Sequence, residues 1–367
     1  MLKVQYVMVG GFLGAGKTTA ILQLARRWKA KGLRVGVITN DQSIGLVDTT
    51  MLRSQGFSTE EITGGCFCCR FNSLREAADK LTADIQPEVF IAEPVGSCTD
   101  LRTTVSYPLR RMYGDEFRIA PLSVVLDPLR ARRVLGLEPG KVFSRKVLYI
   151  FEKQMEEADI LVINKCDLVS LQQQDELQAA LETRFPHATV LRTVARSGIG
   201  VDDWLDLLQR TEMPVRRSME VDYDEYAEGE ALLGWLNVSA EIAGPEFDGN
   251  DFLRQLADQL CQRLVEAETE IAHLKMTLTP ETGTDLAVGN LVRSEGTLEF
   301  SHELAEGLSL GQFILNLRAE GDPQLLRDAV LEELEKQGSQ RGLSVAVEHA
   351  EAFRPGRPLP THRLAET

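Results

Sequence analysis

The chain has 367 residues, of which 43% are hydrophobic and 26% charged, and its formal net charge is −15. This composition is typical of a globular protein with two domains, and it excludes the disordered, fibrous and membrane-embedded classes. The charge is divided unevenly, because residues 1–217 sum to +3 and residues 218–367 to −18. Since nucleic acids and anionic membranes bind clustered Lys and Arg, we expect neither as a partner.

No N-terminal targeting segment and no apolar stretch of transmembrane length is visible, so we expect a cytoplasmic protein. The sequence leaves open whether the chain forms a homodimer. Three of the six cysteines, Cys66, Cys68 and Cys69, are too close together for a disulfide framework. In a reducing compartment such clustered thiols indicate metal binding or catalysis.

Residues 1–212 alternate apolar, β-branched runs with helical patterns, which predicts an α/β domain with a mostly parallel sheet covered by helices on both faces. The predicted strands are 4–9, 35–39, 89–92, 122–126, 160–163 and 189–191. The predicted helices are 18–30, 73–82, 144–157, 172–184 and 202–209.

The acidic stretch that follows is interpreted as a linker over residues 213–230, with six carboxylates between Glu220 and Glu230. We favour a solvated linker over a metal-collecting strip, because runs of like charge usually face water. Residues 231–354 contain strand–helix–strand patterns and are predicted to form a smaller α+β domain of ferredoxin-like type. Residues 355–367, which contain three prolines, are predicted to be an irregular tail.

The segment after the first predicted strand, GFLGAGKT, matches the phosphate-loop pattern G-x-x-x-x-G-K-[ST]. Glycines allow successive N–H groups to surround a phosphate chain, and the helix that follows adds the positive end of its dipole. The expected nucleotide contacts are Gly11, Gly14, Ala15, Gly16, Lys17, Thr18 and Thr19. Lys17 is expected to reach the β- and γ-phosphates, and Thr18 to ligate Mg²⁺. The predicted strand–loop–helix context favours this interpretation over a chance glycine-rich turn.

A second motif, Asn164-Lys165-Cys166-Asp167, follows the strand at 160–163. The Asp167 carboxylate can accept hydrogen bonds from the ring N–H and the amino group of guanine, a donor pair that adenine lacks. Lys165 is expected over the base, Asn164 as a brace, and Ala195 in a second wall. Downstream of a phosphate loop, this motif makes GTP the favoured nucleotide, although an Asn/Asp turn is the simpler alternative.

Candidate magnesium and switch residues lie between these two motifs. Glu93 ends a strand in the segment EPVG, where it can hold the Mg²⁺ shell or orient the attacking water, and Gly96 would allow a backbone amide to approach the γ-phosphate. Residues 40–48 are the natural first switch, with Asp41 and Asp48 as alternative carboxylates facing Mg²⁺. Asp127 precedes Pro128, so we expect it to cap a helix.

The thiol motif, GGCFCC over residues 64–69, offers Cys66, Cys68 and Cys69 to Zn²⁺ or another thiophilic metal. Three ligands do not complete a tetrahedron. The fourth is left open among water, a distant carboxylate or His, Cys98 and another protein. Buried packing cysteines are the alternative.

Taken in order, GGFLGAGKTT, GGCFCC, EPVG and NKCD resemble the CobW family of metal-handling P-loop GTPases, relatives of the urease and hydrogenase nickel-insertion GTPases. The resemblance covers about residues 1–210. It implies slow, metal-linked GTP hydrolysis and delivery of Zn, Co or Ni to a client protein. It assigns nucleotide contacts to Lys17, Thr18 and Thr19, and Mg²⁺ support to Asp48 and Glu93. It also assigns guanine recognition to Asp167 and metal binding to Cys66, Cys68 and Cys69.

The sequence departs from the family pattern in its first switch, NDQSIG, in EPVG, and in the absence of a His-rich stretch. The main hypothesis is a GTP-hydrolysing metallochaperone for a client metalloprotein, with GTP, Mg²⁺ and Zn²⁺ (or Co²⁺/Ni²⁺) as its ligands. The alternative is a GTP-switched activator of a metal- or cobalamin-dependent enzyme that transfers no free metal. A P-loop kinase or ATPase with a structural zinc is a third interpretation. We also expect the acidic C-terminal part to recognise the client while residues 1–217 run the GTP cycle.

Overall fold

The computed structural model describes residues 3–40, 49, 52–53, 55–282 and 285–364. The chain divides into two compact units. Unit 1 comprises Met1–Ala227 together with Arg357–Thr367, and unit 2 comprises Glu228–Gly356. The chain therefore leaves unit 1, builds unit 2, and returns to unit 1. None of the helices in the described ranges is long and apolar enough to span a membrane.

Unit 1 contains, in its described residues, an eight-stranded sheet whose paired strands are all parallel. The strands are β1 (Val4–Gly10), β2 (Val35–Asn40), β3 (Ser58–Ile62), β4 (Val89–Glu93), β5 (Phe117–Ile119), β6 (Ser123–Leu126), β7 (Ile160–Ile163) and β8 (Thr189–Arg192). Their order is β3-β2-β4-β1-β6-β7-β8, with β5 paired to β1. The predicted α/β class with a mostly parallel sheet is confirmed.

The helices that cover this sheet are α1 (Lys17–Ala30), α2 (Phe71–Ile85), α3 (Tyr107–Tyr113), α4 (Pro128–Val134), α5 (Arg145–Glu157), α6 (Leu171–Arg184) and α7 (Val201–Arg210). Strands β2, β4, β6 and β7 are buried along their whole length, as expected when both faces of a parallel sheet are covered. Trp28 of α1 and Trp204 of α7 are fully buried against the sheet. Because β4, β1, β6 and β7 are neighbours and parallel, the loops that follow them emerge at one edge, where ligands bind in such folds.

Unit 2 is an antiparallel sheet with two long helices. Its described elements are β9 (Leu233–Phe247), α9 (Gly249–Glu266), β10 (Glu270–Pro280), β11 (Ala287–Leu291), β12 (Glu299–His302), β13 (Leu308–Glu320), α10 (Pro323–Arg341) and β14 (Ser344–Phe353). The strand order is β12-β11-β10-β13-β9-β14. Without the β11–β12 extension this is the split βαβ arrangement of ferredoxin-like domains, so unit 2 is an α+β domain of that kind.

Unit 1 also holds most of the segment that we interpreted as a solvated linker, and this is a correction. A helix, α8 (Tyr223–Leu232), occupies its second half. Tyr226 is buried and its hydroxyl accepts the Thr99 N–H at 3.3 Å. Arg216, upstream of the helix, pairs with the buried Asp159 at 2.6 Å. These side chains anchor the strip to unit 1 through burial of an aromatic ring and pairing of a buried charge, while most of its carboxylates remain exposed to water.

Several short elements lie outside our predictions. These are β3, β5, β12 and the helical stretch that runs from Arg102 through α3. Strand β3 reads STEEI, with two adjacent carboxylates, and β5 has three residues, so neither shows the apolar run of the other strands. β3 is a strand because it pairs with β2, and β5 is a strand because it pairs with β1.

A buried carboxyl group, Glu157 at the end of α5, lies beneath the segment that follows β4. Its Oε1 accepts from Thr99 Oγ1 at 3.3 Å and its Oε2 accepts the Arg102 N–H at 3.2 Å. Burial, reinforced by the nearby Asp100 carboxylate, raises the pKa of Glu157 to about 8, against a smaller opposing effect of Arg102 and Thr99. Glu157 is therefore largely protonated in the folded protein at neutral pH.

This raised pKa predicts a pH-dependent stability. In the unfolded chain Glu157 ionises near its ordinary pKa of 4.5. The contribution of protonated Glu157 to the free energy of unfolding is therefore fully present below that pH and is lost as pH rises toward about 8. The loss is on the order of a few kcal/mol. In Glu157→Gln the group stays neutral, so this part of the decline in unfolding free energy should disappear. Urea unfolding between pH 5 and 8 measures it, with Glu156→Gln, an exposed neighbour, as the control. Parallel curves for wild type and Glu157→Gln would contradict the prediction.

Candidate functional site

The predicted phosphate loop connects β1 to α1 through closely packed glycines. Gly11 has a φ of 132° and Gly16 a φ of 90°, values that side chains rarely adopt. A Cβ atom at Gly11 would lie 2.3 Å from the Val125 carbonyl oxygen, and one at Gly16 would lie 2.5 Å from Asn164 Nδ2. The loop thus approaches β6 and the loop after β7 as closely as only glycine permits.

The outer side of the loop is held by donors from other elements. Three consecutive carbonyl oxygens accept hydrogen bonds: Leu13 from Arg130 Nη1 at 2.6 Å, Gly14 from Lys165 Nζ at 2.8 Å, and Ala15 from Asn164 Nδ2 at 3.0 Å. These acceptors are therefore satisfied by protein donors, which reduces their repulsion of an anion in the loop. Arg130 was not among our predicted site residues, and its only sequence signal is its place three residues after Asp127.

The first turn of α1 faces the end of β4. Lys17 is buried at the helix N-terminus, and Thr18 and Thr19 follow it. Thr18 Oγ1 donates to Glu93 Oε1 at 3.0 Å, so the hydroxyl and the carboxylate that we assigned to Mg²⁺ are adjacent. These two oxygen donors fit a hard cation, which takes hydroxyl, carboxylate and water ligands. Asp41 and Asp48, the other carboxylates of that prediction, lie outside the described residues.

The loop after Glu93 packs directly on the phosphate loop. A Cβ atom at Gly96 would lie 2.8 Å from Leu13 Cδ2 and 3.1 Å from the Leu13 backbone nitrogen. The Gln154 amide holds this loop from α5, because its Nε2 donates to the carbonyl oxygens of Gly96 at 3.0 Å and Cys98 at 2.8 Å. Gly96 is thus required for close packing, and any movement of this loop must be accommodated by Leu13 and Gln154.

The predicted base-reading loop is built around Asn164. Its Oδ1 accepts the Ala195 N–H at 2.9 Å and the Thr193 hydroxyl at 3.2 Å, while its Nδ2 binds the phosphate loop. Ala195 is therefore positioned beside Asn164 by a direct hydrogen bond. Asp167 is exposed in a short turn, Cys166–Leu168, where its carboxylate is open to solvent.

Lys165 connects this loop to the phosphate loop and to α4. It has a φ of 53°, a strained conformation for a residue with a side chain. Its Nζ lies 3.0 Å from Asp127 Oδ2, and Asp127 Oδ1 accepts the Arg130 N–H at 3.0 Å, so Asp127 caps α4. Burial alone would raise the pKa of Asp127, but Lys165 and Arg130 outweigh it and leave the pKa below its ordinary value.

The three clustered cysteines meet in one turn between β3 and α2. Cys66 Sγ lies 2.7 Å from Cys68 Sγ and 3.2 Å from Cys69 Sγ, and the other sulfur pair is 3.7 Å apart. The turn is closed by the Cys69 N–H, which donates to the Cys66 carbonyl oxygen at 3.0 Å. Cys66 and Cys68 are buried, whereas Cys69 is partly exposed.

This set of sulfurs is suited to a thiophilic metal. All three sulfurs lie within 4.8 Å of one another. Hydrogen bonds from Cys68, Cys69 and Cys98 lower the pKa of Cys66 well below its ordinary value and outweigh burial. Bonding to Cys66 in turn raises the pKa of Cys68. The mutual hydrogen bonds therefore favour a thiolate in this cluster, and a thiolate is the form that binds metal.

Cys98 is a fourth thiol beside this group, and its side-chain hydrogen bonds contribute to the lowered pKa of Cys66 and the raised pKa of Cys68. The sulfurs that lie within 4.8 Å of one another are those of Cys66, Cys68 and Cys69. Cys98 is buried in the loop after Glu93, and its N–H donates to the Val95 carbonyl oxygen at 2.9 Å. In sequence it was one open choice for a fourth ligand among several. The fold brings it to the thiols from the loop that also contacts the phosphate loop.

Asn40 joins the end of β2 to the thiol motif. Its buried Nδ2 donates to the carbonyl oxygens of Ile62 at 2.9 Å and Gly65 at 2.7 Å. Residue 40 opens the segment that we predicted as the first switch. The glycine that precedes Cys66 is thus hydrogen-bonded to that segment's first residue, a contact across 25 positions that no local pattern indicates.

Comparison with known proteins gives consistent matches. Residues 5–192 match the family model described as "CobW/HypB/UreG, nucleotide-binding domain". Zinc chaperone YeiR of Escherichia coli (strain K12) is 29% identical over 175 residues, 47% of this chain and 49% of YeiR. Zinc chaperone CobW of a Sinorhizobium species is 25% identical over 254 residues, 61% of this chain and 71% of that protein. The chain thus spans about half the length of YeiR.

Two solved structures are also similar. The hydrogenase maturation factor HypB from Archaeoglobus fulgidus has a TM-score of 0.41 and 18% identity, and the match covers 56% of this chain and 89% of HypB. The Zn(II)-bound YjiA GTPase from Escherichia coli has a TM-score of 0.38 and 14% identity over 90% of this chain and 99% of YjiA. The family model, by contrast, matches half of the chain, from β1 to the end of β8. On that match, this chain belongs to the CobW/HypB/UreG family.

Proposed function

We propose that this protein is a GTP-hydrolysing metallochaperone that binds Zn²⁺, or Co²⁺ or Ni²⁺, at its thiols and delivers it to a client metalloprotein. The observation that carries the proposal is the cluster of Cys66, Cys68 and Cys69 sulfurs within 4.8 Å, in the same unit as the phosphate loop. Soft thiolate ligands select thiophilic metals. The zinc chaperone names of the relatives support zinc as the first metal to test.

In the proposed reaction, water attacks the γ-phosphorus of GTP and the bond to the β-phosphate oxygen breaks. Lys17 and the N-terminus of α1 bind the phosphates and stabilise the charge that develops on them. Thr18 and Glu93 would hold Mg²⁺, which would supply positive charge to offset the negative charge of the phosphates. The Asp167 carboxylate selects guanine by accepting hydrogen bonds from the ring N–H and the amino group of the base.

We propose that the loop carrying Gly96 and Cys98 couples the two reactions. Gly96 packs on Leu13 of the phosphate loop, and Cys98 contacts the thiols two residues later. A change at the γ-phosphate that shifts this loop therefore shifts the Cys98 thiol, which hydrogen-bonds to Cys66. Asn40, bonded to Gly65, supports a second route from the start of the first switch.

The first test is GTP hydrolysis titrated with Zn²⁺, Co²⁺ and Ni²⁺, with the bound metal measured on the same sample. Metal should change the turnover of the wild-type protein. The Cys66→Ser, Cys68→Ser and Cys69→Ser triple variant should retain basal turnover and lose the response to metal, because hydroxyls are poor ligands for these ions. Cys261→Ser, in unit 2, is the matched control and should behave as wild type.

Turnover that is independent of metal in both proteins would refute the metallochaperone. If client binding then depends on GTP and survives the cysteine changes, the protein is a GTP-switched activator instead.

The nucleotide assignment is tested with Asp167→Asn. The amide can donate but no longer accepts two hydrogen bonds, so we expect GTP affinity to fall by about a hundredfold. Xanthosine triphosphate carries a carbonyl oxygen in place of the amino group, so it should gain affinity. Titration with both nucleotides measures this. Unchanged GTP binding, or loss of both nucleotides, would contradict the assigned role.

The role of Cys98 is tested by Co²⁺ absorption. If Cys98 is the fourth sulfur ligand, Cys98→Ser should lower the sulfur-to-cobalt charge-transfer band by about a quarter. Cys261→Ser should leave the band unchanged. An unaltered band in Cys98→Ser would show that Cys98 is a neighbour of the metal ligands and not one of them.

A further inference from the structure

The segment at residues 357–364, which we call the return segment, lies directly on the thiol turn within unit 1. The Leu359 N–H donates to Cys69 Sγ at 3.2 Å. The Thr361 N–H donates to the Cys68 carbonyl oxygen at 2.8 Å, and its Oγ1 donates to the Cys69 carbonyl oxygen at 3.1 Å. Nearly 300 positions of sequence separate these partners, so the fold alone brings them together.

The far end of the return segment is anchored beside the loop that carries Cys98. Arg363 Nε donates to Asp100 Oδ2 at 2.8 Å, and Asp100 is 1% exposed. The Leu364 N–H donates to the Thr103 carbonyl oxygen at 2.9 Å. One end of the segment is thus fixed to the thiol turn and the other to the residues that follow Cys98.

The rest of the return segment is held weakly. It has no helix or strand, and the Leu359 side chain between two prolines is 71% exposed. The His362 ring packs edge-on against Phe71, with centroids 4.9 Å apart. Arg357 pairs with Asp224, but both side chains are exposed, and such pairs add little stability. A few hydrogen bonds, the His362–Phe71 contact and the Arg363 guanidinium over the Tyr223 ring therefore hold it, which permits local opening without unfolding of unit 1.

The contact to Cys69 places the return segment where metal exchange requires access. Cys69 is the partly exposed member of the thiol cluster, while Cys66 and Cys68 are buried. A chelator, a thiol reagent or a client ligand must therefore approach from the Cys69 side. That sulfur is the one that the segment covers.

We infer that the return segment is a displaceable cover of the thiol cluster, which limits exchange of metal and which a client must displace to receive it. The inference rests on the proposed function for its biological purpose, but the cover itself is a property of the metal-free chain. Because Arg363 is fixed to Asp100, movement of the loop after Glu93 would also move one anchor of the cover. The occupant of this surface is the chain itself, and the client is its competitor.

The cover is tested in the full chain by two matched pairs of variants. Leu359→Pro removes the N–H that binds Cys69 Sγ, whereas Leu359→Ala keeps it and removes only an exposed side chain. Arg363→Ala removes the anchor to buried Asp100, whereas Arg357→Ala removes an exposed ion pair of the same segment. We expect the first member of each pair to open the cover and the second to behave as wild type.

Two rates are measured: the reaction of metal-free Cys69 with a disulfide reagent, located by mass spectrometry, and the transfer of bound Zn²⁺ to a chelator. Leu359→Pro loses one hydrogen bond and should raise both rates by about fivefold. Arg363→Ala loses the bonds to Asp100 and to the Met219 carbonyl oxygen, so it should raise them by at least as much. Wild-type rates in both variants, or equal acceleration in their controls, would overturn the cover.

The two proposals fail separately. If the wild-type protein binds no metal, the metallochaperone is refuted, while the thiol reaction still decides whether the cover exists. If metal binds but both variants exchange it at the wild-type rate, the cover is refuted and the metal site stands.

Discussion

The Asn164 carboxamide is the contact on which the nucleotide side of this protein depends. Its nitrogen binds the phosphate loop at Ala15, and its oxygen binds the Ala195 N–H and the Thr193 hydroxyl. Three loops from three strands are thereby fixed to one buried group, and Gly16 must lack a side chain to allow it. Loss of the amide would leave buried backbone donors and acceptors without partners, which costs more than the bonds themselves contribute.

The same edge of the sheet brings the sulfur chemistry to the nucleotide site. The loop after β4 begins at Glu93, packs on the phosphate loop at Gly96 and continues to Cys98, whose thiol hydrogen-bonds to Cys66. Because these contacts lie within a few residues of one close-packed segment, a displacement of one of them would displace the others. The return segment extends this arrangement, since its two ends bind the thiol turn and the residues after Cys98. The thiol turn, the return segment and the loop that packs on the phosphate loop thus form one group of contacting segments.

The boundary between the predicted GTPase part and the acidic C-terminal part does not lie near residue 217. Our boundary near residue 217 assumed a solvated linker, yet Tyr226 and Arg216 are packed on unit 1 and the chain returns there at Arg357. Deletion of residues 218–367 would remove the packing of Tyr226 on unit 1 and the return segment, together with unit 2. The prediction of a solvated linker was wrong because its six carboxylates dominate the sequence pattern. Tyr223 and Tyr226, which hydrogen-bond to Asp100 and Thr99, hold the strip on unit 1.

The sequence by itself determined the α/β class, the phosphate loop, the Asn164–Asp167 motif that follows β7, and the thiol turn. Each is a contiguous stretch whose chemistry depends on neighbouring residues, so spacing is sufficient evidence for it. The tertiary structure alone decided that Arg130 braces the phosphate loop, that Cys98 hydrogen-bonds to Cys66, and that residues 357–364 contact Cys69. These contacts join residues that are distant in sequence, and a one-dimensional pattern carries no information on which of many distant groups the packing of a sheet and its helices brings together.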